Sequence, residues 1–155
     1  MNDRIFMQEA LNEARKAFLK GEAPIGAVAV QKGKIVARAH NHRERKNDPL
    51  GHAEVILVRK LAHKFKNWRL MGVTVYVTLE PCVMCMGALL QARVKKLVFG
   101  AMDPKAGACG SLYDLSQDAR LNHQLEVSRG VLQEECSVLL KQFFRGLRGK
   151  KTRAC

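Results

Sequence analysis

Val73-Thr74-Val75-Tyr76-Val77-Thr78-Leu79-Glu80-Pro81-Cys82-Val83-Met84-Cys85 decides the fold of this 155-residue chain. Val73, Val75, Val77 and Leu79 alternate with Thr74, Tyr76 and Thr78 in a run rich in β-branched residues, the pattern of a strand inside a sheet. Pro81 stands where a first helical turn tolerates it, and Val83 to Ala92 is apolar enough for a buried helix. Lys96-Leu97-Val98-Phe99-Gly100 then reads as a second short strand. A strand, a helix and a strand in this order predict a right-handed crossover with the two strands as parallel neighbours.

Upstream, Phe6, Met7, Ala10, Leu11, Ala14 and Phe18 recur at helical steps, with Asn2 or Asp3 to cap the helix and Gly21 and Pro24 to end it. Gly26 to Val30 and Ile35 to Ala39 flank Lys32-Gly33 as a β-hairpin. His40 to Gly51 is a polar loop. Ala53, Leu57, Leu61 and Phe65 then form the apolar stripe of a helix whose other side carries Arg59, Lys60, Lys64 and Lys66. Downstream come a glycine-containing loop from Ala101 to Ser111, a helical turn at Leu112 to Leu115 and a last, edge-like strand from Gln124 to Arg129. Leu132, Cys136, Leu139, Leu140, Phe143 and Leu147 mark the buried stripe of a final helix.

This order of elements calls for an α/β fold in three layers, α-β-α, with a single mixed sheet of about five strands and helices on both faces. Residues 1–147 form one domain, and the basic segment 148–155 is expected to be a disordered tail. With 47% apolar residues the chain can bury a core without staples. Five cysteines, an odd number, argue against a disulfide framework. No apolar run approaches the roughly 18 to 20 residues of a spanning helix, and Asp3, Glu9 and Glu13 interrupt the first segment where a secretory core would be continuous. A cytoplasmic location is expected. The net charge of +13 predicts attraction to a polyanion such as RNA.

Cys82 and Cys85 can close on one metal ion, although a redox dithiol or two buried thiols would fit that spacing alone. At a helix N-terminus, free amide N–H groups and the helix dipole favour the thiolate that a metal needs. His52-Ala53-Glu54 adds an imidazole as third ligand and a carboxylate. Sulfur with imidazole suits zinc, and three protein ligands with a fourth position left to water is the catalytic pattern. Zinc lowers the pKa of its water toward roughly 7, and Glu54 is the group that can move the proton. Positions i and i+2 of a regular helix lie on nearly opposite sides, so His52 and Glu54 can serve one site only at the very first turn, after Gly51. Cys109, Cys136 and Cys155 read as loop, core and tail residues, and His40, His42, His63 and His123 as solvent-facing or structural.

Taken together, Pro24-Ile25-Gly26-Ala27-Val28, Asn41, Asp48-Pro49, His52-Ala53-Glu54, Leu79 to Cys85 and Gly100-Ala101-Met102-Asp103 closely resemble the bacterial tRNA-specific adenosine deaminases of the cytidine deaminase-like superfamily. The resemblance runs from the first helix to about Leu147. It implies hydrolytic deamination of adenosine to inosine at the wobble position, 34, of a tRNA, by zinc-bound hydroxide with Glu54 as proton shuttle. It implies one zinc per subunit on His52, Cys82 and Cys85, and a homodimer. By the same resemblance Asn41, Ile25, Asp103 and Lys105 contact the substrate, as do Phe144, Arg145 and Arg148 on the last helix. Loop capping is the plainer reading of Asp103 and Lys105, and of Asn41.

Two other functions share parts of this pattern. A nucleobase deaminase such as a guanine deaminase has the same His-Ala-Glu and Pro-Cys-x-x-Cys pieces but no need of so basic a surface. A non-catalytic RNA-binding zinc module would have no use for Glu54.

Overall fold

Five strands, β1 (Gly26–Gln31), β2 (Lys34–His40), β3 (Thr74–Leu79), β4 (Lys96–Ala101) and β5 (Glu126–Arg129), form one mixed sheet in the order β2-β1-β3-β4-β5. The computed structural model of the chain describes residues 2–153, so Cys155, read above as a tail cysteine, lies outside the described residues with Met1 and Ala154. The alternating run read as β3 is the middle strand. It pairs antiparallel with β1, which continues antiparallel into β2, and parallel with β4, which is followed in parallel by β5.

Period-two alternation divides the core between two faces. Ala27, Ala29, Val75, Val77, Leu97 and Phe99 pack with Leu57 and Leu61 of α2 (Ala53–Phe65) and Met86 and Leu89 of α3 (Val83–Gln91). Val28, Val30, Tyr76 and Val98 pack with Met7 and Leu11 of α1 (Asp3–Leu19) and Cys136 of α4 (Gln133–Arg153). This is the expected α-β-α sandwich. The close approach of α1 to β1 depends on Gly26, where an added Cβ would stand 2.1 Å from the Ala10 carbonyl oxygen.

Several local expectations are corrected. Leu112 to Leu115 is not a helical turn. Its backbone is held instead by Leu112 N–H and Leu115 N–H donating to the Gly107 and Ala108 carbonyls, and by a bridge between Cys109 and Asp114. Leu147, expected in the buried stripe, is 38% exposed, because it borders the open cavity of the site and is not among the residues packed on the core. α4 continues through the basic segment to Arg153. On the basic side of α2, Lys60 and Lys64 donate to the Arg38 and Val36 carbonyls of β2, at 2.8 and 2.9 Å. These two lysines cover the open edge of the sheet, a position where unpaired carbonyls would otherwise invite another strand.

Candidate active site

The parallel pair β3 and β4 delivers the chain to the carboxyl end of the sheet, where α/β folds place their ligand crevices. Two helices begin there. His52 is the N-cap of α2 in extended conformation, φ −85° and ψ 147°, and Glu54 lies in the first turn. Cys82 is the N-cap of α3, φ −77° and ψ 179°, and Cys85 follows within that first turn. The cap geometry resolves the opposition of positions i and i+2. His52 leaves the helical path before the helix starts, so its ring and the Glu54 carboxylate reach over the same helix end. Pro81 precedes the cap rather than occupying the first helical position, and its carbonyl accepts from Ala108 N–H at 2.8 Å. Gly51 is needed just before His52, since a Cβ there would fall 2.6 Å from the His42 ring.

The donor atoms of His52, Cys82 and Cys85 lie within 4.8 Å of one another, a group of a kind that holds a metal ion. His52 Nδ1 is 3.7 Å from Cys82 Sγ and 3.4 Å from Cys85 Sγ. Tetrahedral zinc, with its usual bond lengths to sulfur and imidazole nitrogen, separates such ligands by about 3.5 Å. The residues present therefore fit the ion. The Cys85 thiol donating to Cys82, and then His52, hold the Cys82 thiol down at about 4 against the effect of burial. That shared bond, together with burial, pushes the Cys85 thiol far up. The bond to Cys82 raises the His52 imidazole above its ordinary value.

Glu54 is buried among these groups, and its burial pushes the carboxyl up to about 7. A carboxyl poised there can both take and return a proton near neutrality. Above it opens a cavity of about 530 Å³, room for a nucleoside. His52, Glu54 and Cys82 form its floor, and Ile25, Asn41 and Asp103 stand in its walls. Phe143, Phe144 and Leu147 of α4 border it, anchored by the edge-on contact of Phe143 with Phe18 at 6.0 Å. Of the other sequence-derived candidates, Lys105, Arg145 and Arg148 are exposed and stand outside the lining. Asp103 Oδ1 caps its own loop by accepting from Lys105 and Ala106 N–H, at 3.1 and 3.2 Å.

Sequence reasoning missed the buried carboxylates of Glu80 and Glu22 and the polar lining residues Arg43 and Glu44. Glu80, directly before Pro81, is 2% exposed and accepts from the amides of Asp103, Cys109 and Ser111 and from the Ser111 hydroxyl. Burial pushes its carboxyl up, but the Ser111 hydroxyl and these amides outweigh that and hold it below the usual carboxylate range. Glu80 thereby ties the loop after β4 to the floor of the cavity. Gly107 lets the loop close, for a Cβ there would meet the Glu80 carboxylate at 2.3 Å. A charged residue between an apolar strand and Pro-Cys was the available signal. Glu22, with Arg43 and Glu44 of the lining, carried none, being polar residues in segments already read as loops.

Residues 1–148 match the MafB19-like deaminase family. The chain is 53% identical over 152 residues to a tRNA-specific adenosine deaminase of Bacillus subtilis, covering 98% of this chain and 94% of that protein. Among solved structures it superposes with a TM-score of 0.85 and 40% identity on one from a study of A-to-I editing by tRNA:A34 deaminases at the wobble position, covering 88% of this chain and 99% of the other. A guanine deaminase of Bacillus subtilis matches at a TM-score of 0.65 and 29% identity, over 96% and 95% of the two chains.

Proposed function

From the premise that this chain belongs to the MafB19-like deaminases and to the family of tRNA-specific adenosine deaminases, we propose that it hydrolyses adenosine to inosine at position 34 of tRNA. The observation that carries the chemistry is the convergence of His52, Cys82 and Cys85 on a buried Glu54 at the floor of a nucleoside-sized cavity.

In this reading His52, Cys82 and Cys85 hold one zinc ion. Bound there, zinc supplies a water whose pKa is lowered to about 7. Glu54 takes a proton from the attacking water and passes it to N1 of adenine. It then takes the remaining proton from the hydroxyl now on C6 and delivers it to the departing N6. The C6–O bond forms, the C6–N6 bond breaks and ammonia leaves, with Glu54 restored. One carboxylate suffices because Glu54, buried at the floor of the cavity beside the three ligands, can accept a proton and return it. Burial also excludes bulk water from the exchange.

Ile25, Asn41 and Asp103 contact the extruded nucleoside, and Lys105, Phe144, Arg145 and Arg148 contact the RNA beyond it. Phe144, 46% exposed at the cavity border, offers a face for a base to stack on. The net charge of +13 supports a polyanionic substrate. No helix among the described residues is long and apolar enough to cross a membrane. A tRNA substrate favours the cytoplasm as the place of action. The proposal includes a homodimer: Leu50, Val83, Leu112 and Tyr113 leave large apolar side chains exposed beside the segments that build the site.

The discriminating experiment supplies a stem-loop with adenosine at position 34, free guanine and free cytidine to the metal-loaded protein, and scores the products. Inosine in the stem-loop, with guanine and cytidine untouched, is expected. Turnover of guanine without turnover of the stem-loop would overturn the substrate assignment in favour of a nucleobase deaminase.

A further inference from the structure

Glu22 is fully buried, yet the reaction just described gives it nothing to do. It follows the end of α1, and its carboxylate accepts from Asn41 Nδ2 at 3.3 Å, from Glu44 N–H at 3.2 Å and from Arg45 N–H at 2.5 Å. All of these donors belong to the segment between β2 and α2. Asn41 and Glu44, together with Arg43, line the cavity. Burying a carboxylate is costly unless donors replace the lost water, and every replacement here comes from one wall of the site.

A carboxylate can only accept, so its neighbour on Asn41 must be the amide nitrogen and not the carbonyl oxygen. The Asn41 oxygen in turn accepts from Arg43 N–H at 3.4 Å within the same loop. The second N–H of Asn41 is what remains for a ligand.

We propose that Glu22 is a positioning residue that sets base specificity: it fixes the sense of the Asn41 amide so that the cavity presents a donor to a ring nitrogen of the purine. This rests on the adenosine deaminase reading of the site. The near-isosteric Glu22→Gln replaces one acceptor oxygen by an NH2 group. Whichever end is replaced, a buried N–H then faces an N–H. Where the new NH2 stands at the end that faces Asn41 and Glu44, reversing the Asn41 amide relieves its conflict with residue 22 at the expense of the bond from Arg43 N–H, and withdraws the donor from the cavity.

The test is a cycle between enzyme and substrate, with kcat/KM measured for wild type and Glu22→Gln. The substrates are stem-loops carrying adenosine, 7-deazaadenosine or 3-deazaadenosine at position 34. With wild type, one of the two deaza substitutions is expected to cost about tenfold, and Glu22→Gln on adenosine a similar factor. With Glu22→Gln, that same deaza substitution costs about twofold or less beyond its effect on C6 reactivity, which is common to both enzymes and cancels. The paired variant Glu22→Gln/Asn41→Asp, in which an amide again meets an acceptor, recovers thermal stability but not adenosine turnover. Additive penalties, or unchanged turnover of adenosine by Glu22→Gln, would overturn the proposal.

Hydrogen exchange separates this failure from failure of the functional reading. Exchange at the Glu44 or Arg45 amide accelerates by about tenfold in Glu22→Gln whether or not any RNA is converted. Unchanged protection at both amides overturns the positioning role by itself. Wild type that converts no stem-loop overturns the substrate reading, and with it the specificity role.

Discussion

Glu54→Gln lowers kcat on an adenosine-34 stem-loop by about 10²–10⁴-fold, the contribution of a positioned general acid and base. The variant keeps the size and burial of the side chain, so metal content and RNA affinity stay at wild-type levels. The wild-type profile carries the same information in its pH dependence. Burial pushes Glu54 up to about 7 in the protein alone. A cation on His52, Cys82 and Cys85 favours the carboxylate over the acid and moves that value down. The acid limb of kcat/KM in the loaded enzyme therefore lies below pH 7, with activity lost as Glu54 is protonated. Turnover by Glu54→Gln within a few-fold of wild type would remove this residue from the reaction.

The second large effect comes from the metal ligands. Wild type is expected to retain one zinc per chain through dialysis. Cys85→Ala and His52→Ala, each left with two ligands, retain none. Because a metal that binds only the folded state stabilises it by mass action, about 4 kcal/mol at a thousandfold excess over Kd, chelation lowers the wild-type melting temperature by about 10 °C. The two variants melt at that lower temperature with or without chelator. A melting temperature of wild type indifferent to chelator, with metal absent by elemental analysis, would dismantle the assignment of the three residues as ligands.

The part of the fold that places the site was legible because its signals are local. Alternation of Val and Thr marks β3, Pro81 and the apolar run after it mark α3, and Lys32-Gly33 marks the hairpin turn. The extended cap at His52 was deducible too, since no other conformation lets His52 and Glu54 share a helix end. Side chains whose role depends on distant donors were not legible. Nothing near Glu22 in sequence shows that amides some twenty residues away will enclose it, and the charge of Glu80 between an apolar strand and Pro-Cys does not say that amides up to thirty residues away will do the same. The same cause hid the work of Lys60 and Lys64, which look like a solvated helix face until β2 is laid beside them. Leu147 keeps the helical period of the buried stripe yet borders the open cavity, and period alone does not say where packing gives way to a site.

The stretch from Leu79 to Cys85 thus contributes more than two candidate metal ligands. Its glutamate ties down one wall of the cavity, and its two cysteines meet His52 across two helix ends. The most direct measurement of what this arrangement does is a reaction of the zinc-loaded protein with the adenosine-34 stem-loop in oxygen-18 water, followed by mass analysis of the released nucleosides and assay of ammonia. Hydrolysis at this centre predicts inosine carrying one heavy oxygen, at C6, with one ammonia released for each inosine formed. No inosine, or inosine without the heavy oxygen, would contradict it.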